Sequence, residues 1–418
     1  MTFELRDTLL SNNVRVITEQ NTAFRSMSLG LFVDVGSRDE GGDLWGCSHF
    51  LEHLLFKGTE TKSSKEISSI IENRGGYLNA FTDHDMTGYY ARILGKDQDT
   101  AIELLSDILE NSLLRKEDIE IERQVILEEI KQTLDDPSSL IHELYAQNIW
   151  RNSSLAHPIS GTFKTISNMQ VGKIIDFYRE NYRNNLLVVA AGAVDHEKLI
   201  SSIEKYVKKG RGKCVKDRKR PEFYPSKKCI ERDLGQVQLC ISAPGYPYGS
   251  RKSTVQSIIS SYLGLGASSK LFQEVREKRG LVYNIYTHNQ NLEDFGVFNV
   301  FAGTSKEKLI EVIENIVHEF EYLKQGIDTK ELEIVKHKTI GLYILNSERN
   351  MHRMHHIGTS TLRTGKPRSM EDVVTRLGSV TNEELQRVAT EMFKGNKIAI
   401  TALGITENEV KDLDNLLE

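Results

Sequence analysis

The chain has 418 residues, 39% hydrophobic and 27% charged, so it is globular and long enough to bury more than one core. Its formal net charge is -5, with acids and bases interspersed, which argues against nucleic acid or an anionic membrane as the main partner. The longest apolar run, Leu186 to Val194, is too short to cross a bilayer.

The chain opens with predicted strands: "NVRVITEQ" and "MSLGLFVDVGS" are rich in β-branched residues and partly alternating, with a turn at Ser11 to Asn13 before them. A helix is predicted over 45–57, ended by Gly58, and a second after Ser64, stopped by Gly75 and Gly76. "YLNAFT" and "MTGYYARIL" read as two strands around the polar turn Asp83-His84-Asp85. Helices follow over 98–111 and 117–134, the second broken at Asp136-Pro137. "NLLVVAAGAVD" then reads as a buried strand.

Between Lys205 and Lys228 lie eleven Lys or Arg and two acids, with glycines and prolines interspersed. This shift marks a boundary and reads as a solvated basic linker. Beyond it the element order repeats: a strand in "QVQLCISAPGYPYG", helices ending in glycine, the strand pair "LVYNIYTHNQ" and "FGVFNVFAGT", then two long helices. The expected fold is α+β. Two homologous domains, 1–204 and 231–418, flank a linker at 205–230, each a mostly antiparallel sheet with helices packed on one face.

The chemistry concentrates in "HFLEHLLFKGT". On a helix His49 and His53 are one turn apart and project to one side, with Glu52 at the edge of that face. Two imidazoles beside a carboxylate suit a catalytic zinc and a base for water. A third ligand is offered by "EDIEIERQVILEEIKQ", where Glu122 and Glu129 are seven apart on one helix face. His142, His157 and Glu128 compete for that place on spacing alone. Cys47 points about 160° away from His49 and belongs to the core. His352, His355 and His356 stand at helical spacing without an accompanying carboxylate and read as a polar helix face.

H-x-x-E-H is the inverted zincin order. Together with "GGYLNAFTDHDMTGYY", "ERQVILEEI" and "HPISGTFKTISNM", it makes the chain resemble, over nearly its whole length, the pitrilysin and insulinase family of metallopeptidases. The short branch that includes mitochondrial processing peptidase is the most similar. The resemblance implies one Zn2+ per chain held by His49, His53 and Glu129, Glu52 as general base, and Glu122 as a carboxylate behind the ligands. It further implies that the strand at Asn79, Ala80, Phe81 and Thr82 adds to an extended peptide substrate. In "VREKRGLVY" it makes Arg276 and Tyr283 substrate contacts that stabilise the oxyanion. A chain of this length is then half of a clam-shell, which implies a homodimer with shared active sites and unfolded or short peptides as substrates.

Two other function classes fit the sequence less well. A non-catalytic scaffold of a processing-peptidase-like complex would be expected to have a degraded metal motif, and here all its positions are filled. A nucleic-acid binder would rest on Lys205 to Lys228, which lacks aromatic interleaving. The first ten residues carry no signal-peptide pattern, and the four cysteines form no C-x-x-C pair, so a reducing, cytoplasmic setting is expected, or a mitochondrial matrix if a presequence has been removed.

Overall fold

The computed structural model describes residues 3–182, 186–207, 216 and 218–409. The strands among them are, in chain order, β1 (Glu4–Leu9), β2 (Arg15–Gln20), β3 (Ser26–Val33), β4 (Tyr77–Thr82), β5 (Thr87–Leu94), β6 (Leu186–Gly192), β7 (Lys227–Ile230), β8 (Val237–Gly245), β9 (Val282–Asn291), β10 (Gly296–Thr304) and β11 (Ala399–Leu403). One sheet has the order β1-β2-β6-β3-β5-β4 and the other β7-β11-β8-β10-β9. Each is antiparallel except for one parallel pair, β2 with β6 and β7 with β11. Laid side by side, the two orders match strand for strand, and the first sheet has one further outer strand, β1. That is the mark of a duplicated α+β unit.

The two compact units are not contiguous in the chain. One takes Met1–Lys131, His157–Lys219 and Leu345–Met370; the other takes Gln132–Ala156, Arg220–Ile344 and Glu371–Glu418. Sequence composition suggests a single change-over at 205–230, but two helices are exchanged between the halves. The Asn350–Thr364 helix packs on β3 and β6, and the Pro137–Ile149 helix packs on β8 and β11.

The physical reason lies in the strands, which are apolar on both faces. In the first sheet, Leu29, Leu31 and Val33 join the main core with Phe50, Leu51 and Leu105. Phe32 points the other way, into a second cluster with Ile17, Val189, Met354 and Ile357. In the second sheet, Phe298 and Val300 face one core, while Val297 and Phe301 face Ile141, Tyr145, Ile149 and Trp150. Helices therefore cover both faces of each sheet, where the sequence reading expects one. The second cover comes from sequence-distant segments.

Gly358 shows how close the exchanged helix sits. A Cβ there would lie 2.5 Å from Cζ of Phe32, a ring with no exposed surface. Gly→Ala inside a helix ordinarily stabilises by about 1 kcal/mol. Here the sign should reverse: Gly358→Ala should cost about 1–3 kcal/mol through overpacking, read as a lower denaturant midpoint. An unchanged or raised midpoint would show that the contact has room to relax.

Part of the basic run, residues 208–215 and 217, lies outside the described residues. Arg218 within it is not solvated. Its side chain is only 9% exposed, pairs with Asp39 at 2.5 Å and donates to the Asp85 carbonyl. No helix among the described residues is long and apolar enough to cross a membrane.

Candidate metal centre

The Cys47–Leu54 helix is placed from its N-terminus. Gly46 has φ 98°, and a Cβ there would meet Ser160 O at 2.7 Å and Gly161 Cα at 2.9 Å, so only glycine lets the chain enter. The buried Glu40 carboxylate accepts from the Gly46 and Ser48 amides, both at 2.6 Å, occupying donors that the first turn leaves open. Burial pushes the Glu40 carboxyl up to about 8, although those two amides hold it back. Phe50, Leu51 and Leu54 anchor the helix in the core, and Cys47 is buried there as expected.

The opposite face presents the histidines. Nε2 of His49 lies 3.7 Å and Nε2 of His53 3.8 Å from Oε2 of Glu129, which the Lys116–Asp135 helix brings over. All three atoms lie within 4.8 Å of one another, the one cluster of this kind among the described residues. Two tetrahedral zinc ligands at bond lengths of about 2.1 Å stand about 3.4 Å apart, so small movements would close this set on the ion. Burial, and then the neighbouring His53, pushes His49 down to about 4, which keeps it in the neutral form a metal ligand needs. The Glu129 side chain is 48% exposed, so one flank of the cluster is open, as a catalytic rather than a structural site requires. Donor types, spacing and access all fit zinc.

Around the three converging donor atoms stand groups that orient them. His53 Nδ1 is 3.1 Å from Oε2 of the buried Glu122. A carboxylate partner puts the proton on Nδ1 and leaves the Nε2 lone pair facing Glu129. Oε2 of Glu52 accepts from the Thr82 hydroxyl at 2.7 Å, while burial raises the Glu52 carboxyl above its ordinary value and the Thr82 bond partly offsets this.

β4 is an edge strand with β5 as its ladder partner. Ala80 and Thr82 face the histidine helix, whereas Phe81 turns to the other face against Phe32 and His355. Asn79 Oδ1 accepts from the Ala80 amide. The turn after Thr82 is clamped by cations: Arg363 reaches Asp83 at 2.6 Å and Asp85 at 2.9 Å, and Arg38 reaches Asp85 at 3.0 Å.

The competing ligand candidates are engaged elsewhere. His142 bonds Tyr286 Oη at 3.1 Å, His157 stacks on Trp45, and Glu128 pairs with Lys131 at 2.5 Å. The 352–356 histidines do not form a solvated polar face: His355 packs against Phe81 and Tyr90 because its helix lies on the first sheet. Arg276 and Tyr283 belong to the second compact unit. There the guanidinium sits 5.6 Å from the Tyr283 ring centre and 4.7 Å from that of Phe272. Tyr283 is 72% exposed on β9, the edge strand of its sheet.

Sequence reasoning passes over Glu40, Lys57 and the arginine clamp. Lys57, whose Nζ is 2.7 Å from Oε1 of Glu122, has one available signal: it follows His53 by four residues. Glu40 and the arginines act across loops, where spacing carries no such signal.

A sequence model of the insulinase family, peptidase family M16, matches residues 15–163, and one described as the peptidase M16 inactive domain matches residues 168–339. An uncharacterized zinc protease of Streptomyces coelicolor is 34% identical over 413 residues, 96% of this chain and 89% of that one. The uncharacterized zinc protease YmxG of Bacillus subtilis is 32% identical over 91% of this chain and 94% of its own. The chain belongs to the M16 insulinase family. Among solved structures, a protease from Helicobacter pylori superposes with TM-score 0.88 at 23% identity, over 96% of this chain and all of that one. A chain of complex III2 from Candida albicans gives 0.86 at 21%, over 99% of each. Both likenesses are of fold. In this M16 chain the histidine cluster falls in the segment that matches the insulinase model, and Arg276 and Tyr283 fall in the segment that matches the inactive-domain model.

Proposed function

We propose that this chain is a zinc-dependent endopeptidase that hydrolyses unfolded peptides or presequence-like segments. The observation that carries the reading is the meeting of His49, His53 and Glu129 with Glu52 one helical step away. Zinc bound there supplies a Lewis acid that polarises the scissile carbonyl and makes water acidic enough to react. His49, His53 and Glu129 would hold it, one ion per chain.

The residues of the chain do the rest. Glu52 keeps Oε2 on Thr82 and offers Oε1 to take a proton from the attacking water, then return it to the leaving amine. The free edge of β4 at Asn79 to Thr82 would take an extended peptide by main-chain hydrogen bonds. Arg276 and Tyr283 would grip substrate and offset the oxyanion charge. Because the family resemblance sets those two elements in opposite halves of longer relatives, a homodimer in which each metal cluster faces the partner's pair is the economical assembly.

The test uses purified protein. Metal analysis should find about one zinc per chain, and digestion of an unstructured peptide library should be abolished by a chelator. Zinc-loaded protein that cleaves no peptide would favour a non-catalytic scaffold.

Complementation tests the assembly. A Glu52→Gln protein is mixed with an Arg276→Ala, Tyr283→Phe protein under conditions of demonstrated subunit exchange. Random exchange should restore roughly a quarter of wild-type turnover, since half the dimers regain one intact site of two. If no activity returns, the shared-site assembly is wrong.

A further inference from the structure

We infer that Lys57 is a positioning residue of the metal centre, acting on His53 through Glu122. This rests on the zinc reading above and deepens it. Glu122 has a side chain only 4% exposed and divides its oxygens between two partners: Oε1 lies 2.7 Å from Nζ of Lys57 and Oε2 lies 3.1 Å from Nδ1 of His53. A carboxylate held at one oxygen can still swing about its last torsion. Held at both, it cannot turn without breaking a charge-assisted bond. The orientation of the His53 ring, and hence the aim of its Nε2, is therefore set jointly by Glu122 and Lys57.

Lys57 is itself well placed to hold that position. Its amide donates to the Leu54 carbonyl at 3.0 Å, closing the end of the histidine helix. Gly58, with φ 143°, then turns the chain away. Lys57 thus follows the C-terminal end of the helix that carries both histidines, where a cationic residue is favoured, and its ammonium reaches the neighbouring helix at Glu122. Its charge also compensates a buried carboxylate that would otherwise add to the negative charge of Glu129 around the ion.

A lysine that merely solvated this surface would pair with any nearby acid. Instead it takes the one oxygen of Glu122 that His53 leaves free. Outer partners of metal-bound histidines typically contribute about 10–100-fold in metal affinity, and Lys57 should share in that through Glu122.

The experiment measures Zn2+ affinity of the apoprotein by competition with a chromophoric chelator, for wild type, Lys57→Met, Lys57→Arg, Glu122→Gln and the Lys57→Met, Glu122→Gln double variant. Circular dichroism first establishes that each is folded. Lys57→Met should weaken zinc binding by about tenfold, Lys57→Arg should recover most of it, and Lys57→Met should add less than about twofold once Glu122 is Gln. Cobalt(II)-substituted Lys57→Met protein should show a visible spectrum altered from wild type, because the ligand field follows the His53 orientation. Wild-type affinity in folded Lys57→Met, or an equal loss with and without Glu122, would overturn the proposal. Should Lys57→Met fail to fold, the comparison of Glu122→Gln with the double variant decides: a further loss there overturns it, and none supports it. If wild type itself bound no zinc, the underlying functional reading would fall instead, which keeps the two failures distinct.

Discussion

Glu52→Gln protein should hold its zinc and bind peptides, yet turn them over about 10²–10⁴-fold more slowly than wild type. The substitution is nearly isosteric, and a glutamine oxygen can still accept from Thr82, whose hydroxyl lies 2.7 Å from the native carboxylate. The side chain therefore keeps its place while losing the basic oxygen that takes a proton from water. A loss of this size corresponds to roughly 3–5 kcal/mol of transition-state stabilisation. It should appear in kcat, with KM changed by no more than a few-fold, because the interaction is made as the proton moves rather than when peptide binds. Zinc content is measured alongside, since Glu52 is not among the three ligand atoms that converge. Turnover within tenfold of wild type, at full zinc occupancy, would remove Glu52 from the role of base.

The three converging donor atoms are largely legible in the sequence because two of them share one helix. A spacing of four puts His49 and His53 side by side whatever surrounds the helix, so their meeting depends only on helical geometry. The third is harder. Glu122 and Glu129 lie on the same face of their helix, and periodicity cannot separate them; only the family resemblance does so in the sequence. In three dimensions the distinction has a cause: Glu122 is buried between Lys57 and His53 Nδ1, while Glu129 stays half exposed beside both Nε2 atoms.

What spacing cannot reveal are contacts between elements distant in the chain. Thr82 meets Glu52 because β4 runs along the histidine helix, and a threonine in "YLNAFT" carries no sign of it. The exchange of the Pro137–Ile149 and Asn350–Thr364 helices is hidden for a similar reason. Unbroken apolar runs such as β6 announce a strand buried on both faces without saying which helix covers the second one.

Removing one ligand tests the centre most severely. His49→Ala and His53→Ala should each lose bound zinc on dialysis against a moderate chelator that leaves wild type fully loaded. A catalytic site has three protein ligands, and with two remaining the ion keeps neither its coordination number nor its charge balance. The loss should exceed the about 10–100-fold expected for an outer partner, so both variants should bind zinc more weakly than Glu122→Gln. The fold should survive, since the His49 and His53 side chains are 13% and 22% exposed and the helix is anchored by Phe50, Leu51 and Leu54 on its other face. Glu129→Ala should follow the histidines, and Glu128→Ala, which removes only a surface pair with Lys131, should not. That contrast between adjacent glutamates matters most, because a general effect of lowered acidity on the helix would strike both alike. Full zinc occupancy in the folded histidine variants would mean that the ion is held elsewhere, and the centre described by these three side chains would have to be abandoned.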